Sequence, residues 1–285
     1  MSARVSWAKL GIIAGAGDLP VRLAEYCRAE RRTYFVSRIA GITGDELENH
    51  PGADVPLDKM GLRFDGLRAA GCDAVVLAGQ VRRPDFATFA PDEQTVEMLP
   101  RILAAAGQGD DALLRALIGE CERAGFTVLG AHDVLAALLA APGAMGMHAP
   151  DERALKDIAA GAKIVGALGA LDVGQAAVMC AGLALAVEAQ EGTDLMLARV
   201  ADLPAHLRGS SEKRRGVLVK QTKPTQERRI DLPTIGVGTV ERAATAGLAG
   251  IAVESGGTLI VDLPAVIERA DALGLFVYGF DPSAP

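Results

Sequence analysis

Apolar residues in this chain follow two rhythms. Nearly unbroken runs at residues 10–14, 34–39, 73–79 and 126–130 have the length and composition of strands covered on both faces. Between them, residues 21–30, 59–70, 100–106 and 110–124 place apolar side chains three and four apart, as in Val21, Ala24 and Cys27. That is the spacing of amphipathic helices. Alternation of the two patterns predicts an α/β domain with a largely parallel sheet.

The second half alternates less strictly. Residues 174–180 and 183–188 read as strands joined through the turn Ala181-Gly182, which makes the second sheet mixed. Further strands are expected at 217–219, 250–254, 258–262 and 276–280, with Gly256-Gly257 as a hairpin turn. Residues 134–140, 151–168, 195–202, 234–248 and 263–273 read as helices. Two prolines and two glycines fall within residues 141–150, which breaks both rhythms. The expected division is an N-terminal domain over 1–141, a linker over 142–150 and an α/β C-terminal domain over 151–285.

A length of 285 residues suits two domains, each able to bury a core. Half the residues are apolar and 23% are charged, which excludes a disordered chain. No run of about 18 uncharged apolar residues occurs, so no membrane span is expected. Lys9 precedes a strand-like run that stops at a glycine loop, which is not the layout of a signal peptide. Four cysteines, at 27, 72, 121 and 180, are too scattered for zinc or a disulfide framework and read as reduced thiols of a cytoplasmic protein. A net charge of −7 argues against general nucleic-acid binding, yet leaves room for a small anion held by a few local cations.

Candidate chemistry gathers at the ends of the predicted strands, the usual ligand edge of an open parallel sheet. Gly15, Ala16 and Gly17 follow the first strand and precede a helix. Their backbone N–H groups could meet a phosphate at the helix's positive end, or form only a tight turn, since Pro20 stands where a dinucleotide fingerprint has its third glycine. Gly79, Gln80, Arg82 and Arg83 follow the third strand, as contacts to an anion or as a solvated rim. Asp110 and Asp111 suit the start of a helix through its dipole. His132 reads as structural. In the second half, Gly192 opens a second possible anion nest, with Glu188 and Glu191 beside it as possible divalent-metal neighbours. Thr193 and Asp194 read equally as helix caps. The densest polar segment, residues 220–236, carries Lys220, Lys223, Arg228, Arg229, Glu227 and Asp231 between an apolar strand and a predicted helix. It is the candidate active-site loop for a phosphorylated substrate.

Read together, these motifs resemble the cytoplasmic UDP-2,3-diacylglucosamine pyrophosphatases of lipid A synthesis, the type unrelated to the calcineurin-like phosphoesterases. The resemblance rests on residues 10–17 with Leu19-Pro20, and on Ala78-Gly79 with Arg83-Pro84-Asp85-Phe86. It continues through Asp172-Val173-Gly174-Gln175-Ala176 and Val187-Glu188-Ala189-Gln190-Glu191-Gly192-Thr193-Asp194. Lys223-Pro224, Gln226 and residues 229–236 complete it, in order over nearly the whole chain. It implies a Rossmann-like N-terminal domain and an α/β C-terminal domain holding the substrate between them. It also implies hydrolysis of UDP-2,3-diacylglucosamine to UMP and 2,3-diacylglucosamine 1-phosphate with a divalent metal, Mg²⁺. The essential carboxylate falls on Asp231, as metal ligand, activator of water or both. Substrate contacts fall on Gly15, Ala16, Gly17, Gly79, Gln80, Gln175, Ala176, Glu188, Gly192, Thr193, Asp194, Lys220, Lys223 and Gln226. Gln80 and Glu227 depart from the Asn and Asp often found there. An acylated substrate implies weak peripheral contact with the inner membrane; residues 137–147 are a candidate acyl groove.

The residue types are consistent with this chemistry. Pyrophosphate hydrolysis needs cations or N–H groups on the phosphates and a carboxylate to orient water. Four histidines without ligand spacing exclude a His-rich dinuclear site. Two other readings compete: a nucleotide-sugar sensor without turnover, and a nicotinamide-dependent enzyme. The incomplete first glycine motif and Arg38 at the end of the second strand count against the latter.

Overall fold

A computed structural model describes residues 6–82, 84–224 and 227–283 of the chain. The expected sites Arg83 and Gln226 lie outside the described residues. The chain divides into two compact units, Met1–Ala136 with Glu227–Asp231, and Ala137–Gln226 with Leu232–Pro285.

The first unit runs β1 (Leu10–Ala14), α1 (Asp18–Ala29), β2 (Tyr34–Ile39), β3 (Gly52–Val55), α2 (Met60–Ala69), β4 (Ala74–Ala78), α3 (Glu93–Ala106), α4 (Asp110–Arg123), β5 (Thr127–Leu129) and α5 (Ala131–Val134). Its strands are parallel throughout, in the order β3-β2-β1-β4-β5. This is the Rossmann-like order, and its direction reverses between β1 and β4. Every residue of β1 is buried. On α1, Pro20, Leu23, Ala24 and Cys27 are buried; of the expected stripe Ala24 and Cys27 face the core, while Val21 is half-buried and Leu23 takes its place. α2 comes so close to β1 that a Cβ on Gly11 would lie 2.6 Å from Leu67 Cδ2. Ile13, Phe64, Leu67, Val75, Ile118, Phe126 and Val128 form a core cluster, and Ile230 packs against it.

The second unit runs β6 (Gly143–Ala144), α6 (Glu152–Ala170), β7 (Ala176–Cys180), β8 (Leu183–Val187), α7 (Gly192–Ala201), α8 (Ala205–Arg208), β9 (Val217–Lys220), β10 (Thr234–Ile235), α9 (Val237–Thr245), β11 (Gly250–Glu254), β12 (Leu259–Ile260), α10 (Leu263–Leu273) and β13 (Phe276–Phe280). Its main sheet has the order β6-β13-β11-β9-β7-β8. The centre, β13, β11 and β9, is parallel; β6, β7 and β8 run antiparallel to their inner neighbours. One core cluster joins Ala154 and Ile158 of α6 to Val217, Val219 and Phe276. A second joins Met196, Leu197, Val240, Ala243, Val266 and Ala270 of α7, α9 and α10 to Val178, Leu218, Ile251 and Val277. Helices thus cover the sheet in two layers, and the strands read as continuous apolar runs for that reason.

Several expectations change. Gly256-Gly257 does not close a hairpin: β12 pairs in parallel with β10, through Thr234 to Leu259 and Ile235 to Ile260. The helix expected from 234 therefore begins at Val237, after a two-residue strand. β3 has no apolar run, since Ala53 and Asp54 are exposed at the sheet edge. α3 starts seven residues before Pro100, at Glu93, where Asp92 caps it by accepting from Thr95 N. Within the stretch read as a linker, Gly143–Ala144 pairs with Tyr278 and Gly279 of β13.

Candidate active site

In the first unit, the two glycine loops meet at the point where strand order reverses. Ala16 N donates to Gln80 O at 2.9 Å, Gln80 N returns a bond to Ala16 O at 2.8 Å, and Gly15 N donates to Ala78 O at 2.8 Å. The approach requires glycine on both sides. A Cβ on Gly15 would lie 2.6 Å from Gln80 O, and one on Gly79, at φ +92°, would lie 2.6 Å from Ala16 O. The N–H groups of Gly15 and Ala16 are thus committed to the neighbouring loop rather than turned to a phosphate. Gly17, at φ +91°, opens α1 with no side-chain cap, and Asp18 already places a carboxylate in the first turn. Gln80 is exposed beside this crossing.

The first unit also holds Asp231. Ile230 N and Asp231 N both donate to Glu227 O, at 3.2 and 3.1 Å, closing a tight turn. Glu227 N donates to Asp111 Oδ1 at 3.1 Å. Arg229 grips Glu227 with Nε and Nη2, each at 3.0 Å, and reaches Glu122 Oε1 with Nη1 at 2.7 Å. The bonds from Arg229 hold the Glu227 carboxyl below its ordinary range, and the same pair raises the Arg229 guanidinium. Where the segment crosses the end of β5, a Cβ on Gly130 would lie 3.3 Å from Arg229 Cα and 2.8 Å from His132 Nδ1. Asp231 itself is half-buried.

In the second unit, Glu188, Thr193 and Lys220 form a buried polar chain. Lys220 Nζ donates to Thr193 Oγ1 at 2.9 Å and to Thr234 O at 3.3 Å; Thr193 Oγ1 donates to Glu188 Oε1 at 2.8 Å. Glu188 Oε2 accepts from Gln175 N at 3.2 Å. Lys220 is 4% exposed and Glu188 6%, so their charges are shielded from water and must be satisfied internally. Gly174 makes room for this, because a Cβ there would lie 2.1 Å from Glu188 O. Lys223 Nζ bonds Asp172 Oδ1 at 2.8 Å.

The LpxI N-terminal-domain family model matches residues 9–138, and the LpxI C-terminal-domain model matches residues 141–278. The chain belongs to the LpxI family. A Caulobacter vibrioides protein named UDP-2,3-diacylglucosamine pyrophosphatase LpxI is 52% identical over 274 residues, covering 96% of this chain and 98% of that relative.

Against the expected LpxI-type site, the structure gathers some residues and disperses others. Gln175, Glu188, Thr193 and Lys220 come together, with Ala176 beside them; Gly15, Ala16, Gly79 and Gln80 form a second group. Of the acidic residues near Gly192, Glu188 accepts from Gln175 N and Thr193 Oγ1, Glu191 pairs with Arg199, and Asp194 pairs with Arg242 at 3.3 Å. Thr193 is no helix cap, because α7 starts at Gly192 and the Thr193 hydroxyl is spent on Glu188 and Lys220. Asp111 is more than a dipole partner: it is buried, pairs with Arg115 and accepts from Glu227 N. Among the described residues no three His, Cys, Asp or Glu side chains converge as a metal-holding group.

Proposed function

We propose that this LpxI-family chain hydrolyses the pyrophosphate bond of UDP-2,3-diacylglucosamine, giving UMP and 2,3-diacylglucosamine 1-phosphate. The carrying observation is the 52% identity over 96% of the chain to a relative bearing that name. The polar groups at the strand ends suit the chemistry. Asp231 is the essential carboxylate, placed on a short fixed turn where it can orient water or hold a cation. The Lys220–Thr193–Glu188 chain supplies a buried positive charge whose orientation is set before substrate arrives, with Gln175 beside it. Gly79 and Gln80 keep the switch-point loops at a fixed spacing, with Gly17 and the start of α1 next to them.

Mg²⁺ belongs to the proposal as the ion that neutralises phosphate oxygens when bound. Mg²⁺ is commonly held by one or two carboxylates together with substrate phosphates, which agrees with the absence of a three-carboxylate group among the described residues. EDTA should therefore stop turnover without lowering the melting temperature of the free protein; a lowered melting temperature would point to a resident structural metal. The acylated substrate places the protein at the cytoplasmic face of the inner membrane in weak peripheral contact. No described helix is long and apolar enough to cross a membrane.

The deciding assay incubates purified protein with UDP-2,3-diacylglucosamine and Mg²⁺ and measures UMP by chromatography. Release of UMP together with the 1-phosphate is expected. Substrate binding without release would leave a nucleotide-sugar sensor instead.

A further inference from the structure

We infer that Arg229 is a positioning residue for Asp231, holding it against one stripe of α4, and is not a cation for the substrate's phosphates. The inference rests on the reading of Asp231 as the essential carboxylate.

The stripe is Asp111, Arg115, Ile118 and Glu122. These positions are four, seven and eleven residues apart, so they return to one face of α4 over three turns and span about 16 Å. Its ends are acidic, Arg115 is paired with Asp111, and Ile118 is the apolar position between them; the segment Glu227–Asp231 matches this arrangement. Glu227 N donates to Asp111 at the start of the helix. Ile230 packs against the cluster that contains Ile118. Arg229 reaches Glu122 in the last turn. Asp111 is kept in place by Arg115, its own i+4 neighbour. Polar contacts at both ends and an apolar contact between them fix both the register and the orientation of the segment.

The Arg229 guanidinium makes three side-chain bonds, two to Glu227 and one to Glu122. Two carboxylates thus surround one cation, and the local charge is already negative. A phosphate drawn to Arg229 would have to displace a bidentate carboxylate, the strongest partner a guanidinium has. A second consequence is geometric. Both Ile230 N and Asp231 N bond to Glu227 O, so the residue that Arg229 grips is the one that closes the Asp231 turn. Loosening Arg229 loosens Glu227, and with it the direction of the Asp231 carboxylate.

Steady-state kinetics on Arg229→Ala test this. A misplaced reacting group can cost about 10²-fold in rate, so kcat should fall by about that factor. KM should stay within about threefold, since no ground-state contact is lost. Added guanidinium, well below denaturing concentration, should restore part of kcat. Arg229→Lys should recover less than the wild-type rate, because an ammonium cannot bridge both carboxylates in a planar fork. Should Arg229→Ala fail to fold, Glu122→Gln keeps shape and removes one anchor's charge; a reduced kcat at unchanged melting temperature is expected. A raised KM with wild-type kcat in Arg229→Ala would overturn the inference and return Arg229 to the phosphates. Wild-type kcat in Glu122→Gln would also overturn it. Asp231→Ala serves as the separate check: full activity there removes both this inference and the role of Asp231, whereas an inactive Asp231→Ala beside a fully active Arg229→Ala removes this inference alone.

Discussion

Two polar assemblies carry the candidate chemistry, and they are built on opposite principles. The Lys220–Thr193–Glu188 chain in the second unit is sunk into the protein, with both charged members under a tenth exposed. The Glu227–Arg229–Glu122 clamp in the first unit sits nearer the surface, with side chains 18%, 36% and 50% exposed. In the buried chain each bond is strong and each loss is costly, because no water replaces a missing partner. In the clamp, single bonds are cheap to lose thermodynamically, so its importance lies in where it points Asp231. The difference predicts where each loss is read: substitutions in the buried chain should show in melting curves as well as in activity, and those in the clamp mainly in kcat.

That contrast can be broken most directly at Lys220. Lys220→Met removes the buried ammonium that donates to Thr193 Oγ1 and Thr234 O and that faces Glu188 through the Thr193 hydroxyl, and should destabilise the protein by about 2–3 kcal/mol, the range for a lost hydrogen bond from a charged group. Denaturant unfolding would show it; an unchanged midpoint would mean that the Glu188 charge is satisfied without Lys220. Thr193→Val should cost about 1–3 kcal/mol by removing the hydroxyl that serves both neighbours, while Thr193→Ser should stay close to wild type in the same experiment. Acid should act on the clamp. The Glu227 carboxyl is depressed in the folded protein by its bonds to Arg229. Its stabilising contribution is therefore complete above the ordinary glutamate range and is lost as pH falls through the lowered value. Protection factors for amides of residues 227–231, from hydrogen exchange on acidification, should fall before those of β1; simultaneous loss would merge the clamp with global unfolding. The smallest effect belongs to Lys223→Ala. Its pair with Asp172 is partly exposed and contributes about 0–1 kcal/mol. A raised KM at an unchanged melting temperature would show Lys223 touching substrate.

Much of this could be read from the chain, and the exceptions share a cause. β1, β4, β9 and β11 announced themselves as apolar runs because each is covered on both sides, and α1 did so through its stripe. β10 did not, since a two-residue strand is set by the neighbour it finds and not by its own pattern; β12 falls within the run 258–262 expected as a strand, but its parallel pairing with β10 was not legible. Thr193 next to a helix start looks the same in sequence whether it caps the helix or bridges Glu188 and Lys220. The loop carrying Asp231 was visible from its density of charge. Its anchorage was not, because Glu227 finds Asp111 across 116 residues and Arg229 finds Glu122 across 107. Asp111, Ile118 and Glu122 do share a helical face, which is the one clue available, but a stripe does not name the segment that will lie on it.

The return of Glu227–Asp231 to the first unit also sets an order of events during synthesis. The bulk of that unit is complete at Ala136, yet its last piece is made roughly 90 residues later, a delay of about 5–20 s at ordinary elongation rates of about 5–20 residues per second. Through that interval the nascent chain carries a Rossmann-like unit whose α4 stripe and neighbouring apolar cluster await Ile230. The Asp231 turn is therefore assembled only after the strand β9 that precedes it has been made, so an incomplete chain emerging from the ribosome lacks the finished Asp231 turn.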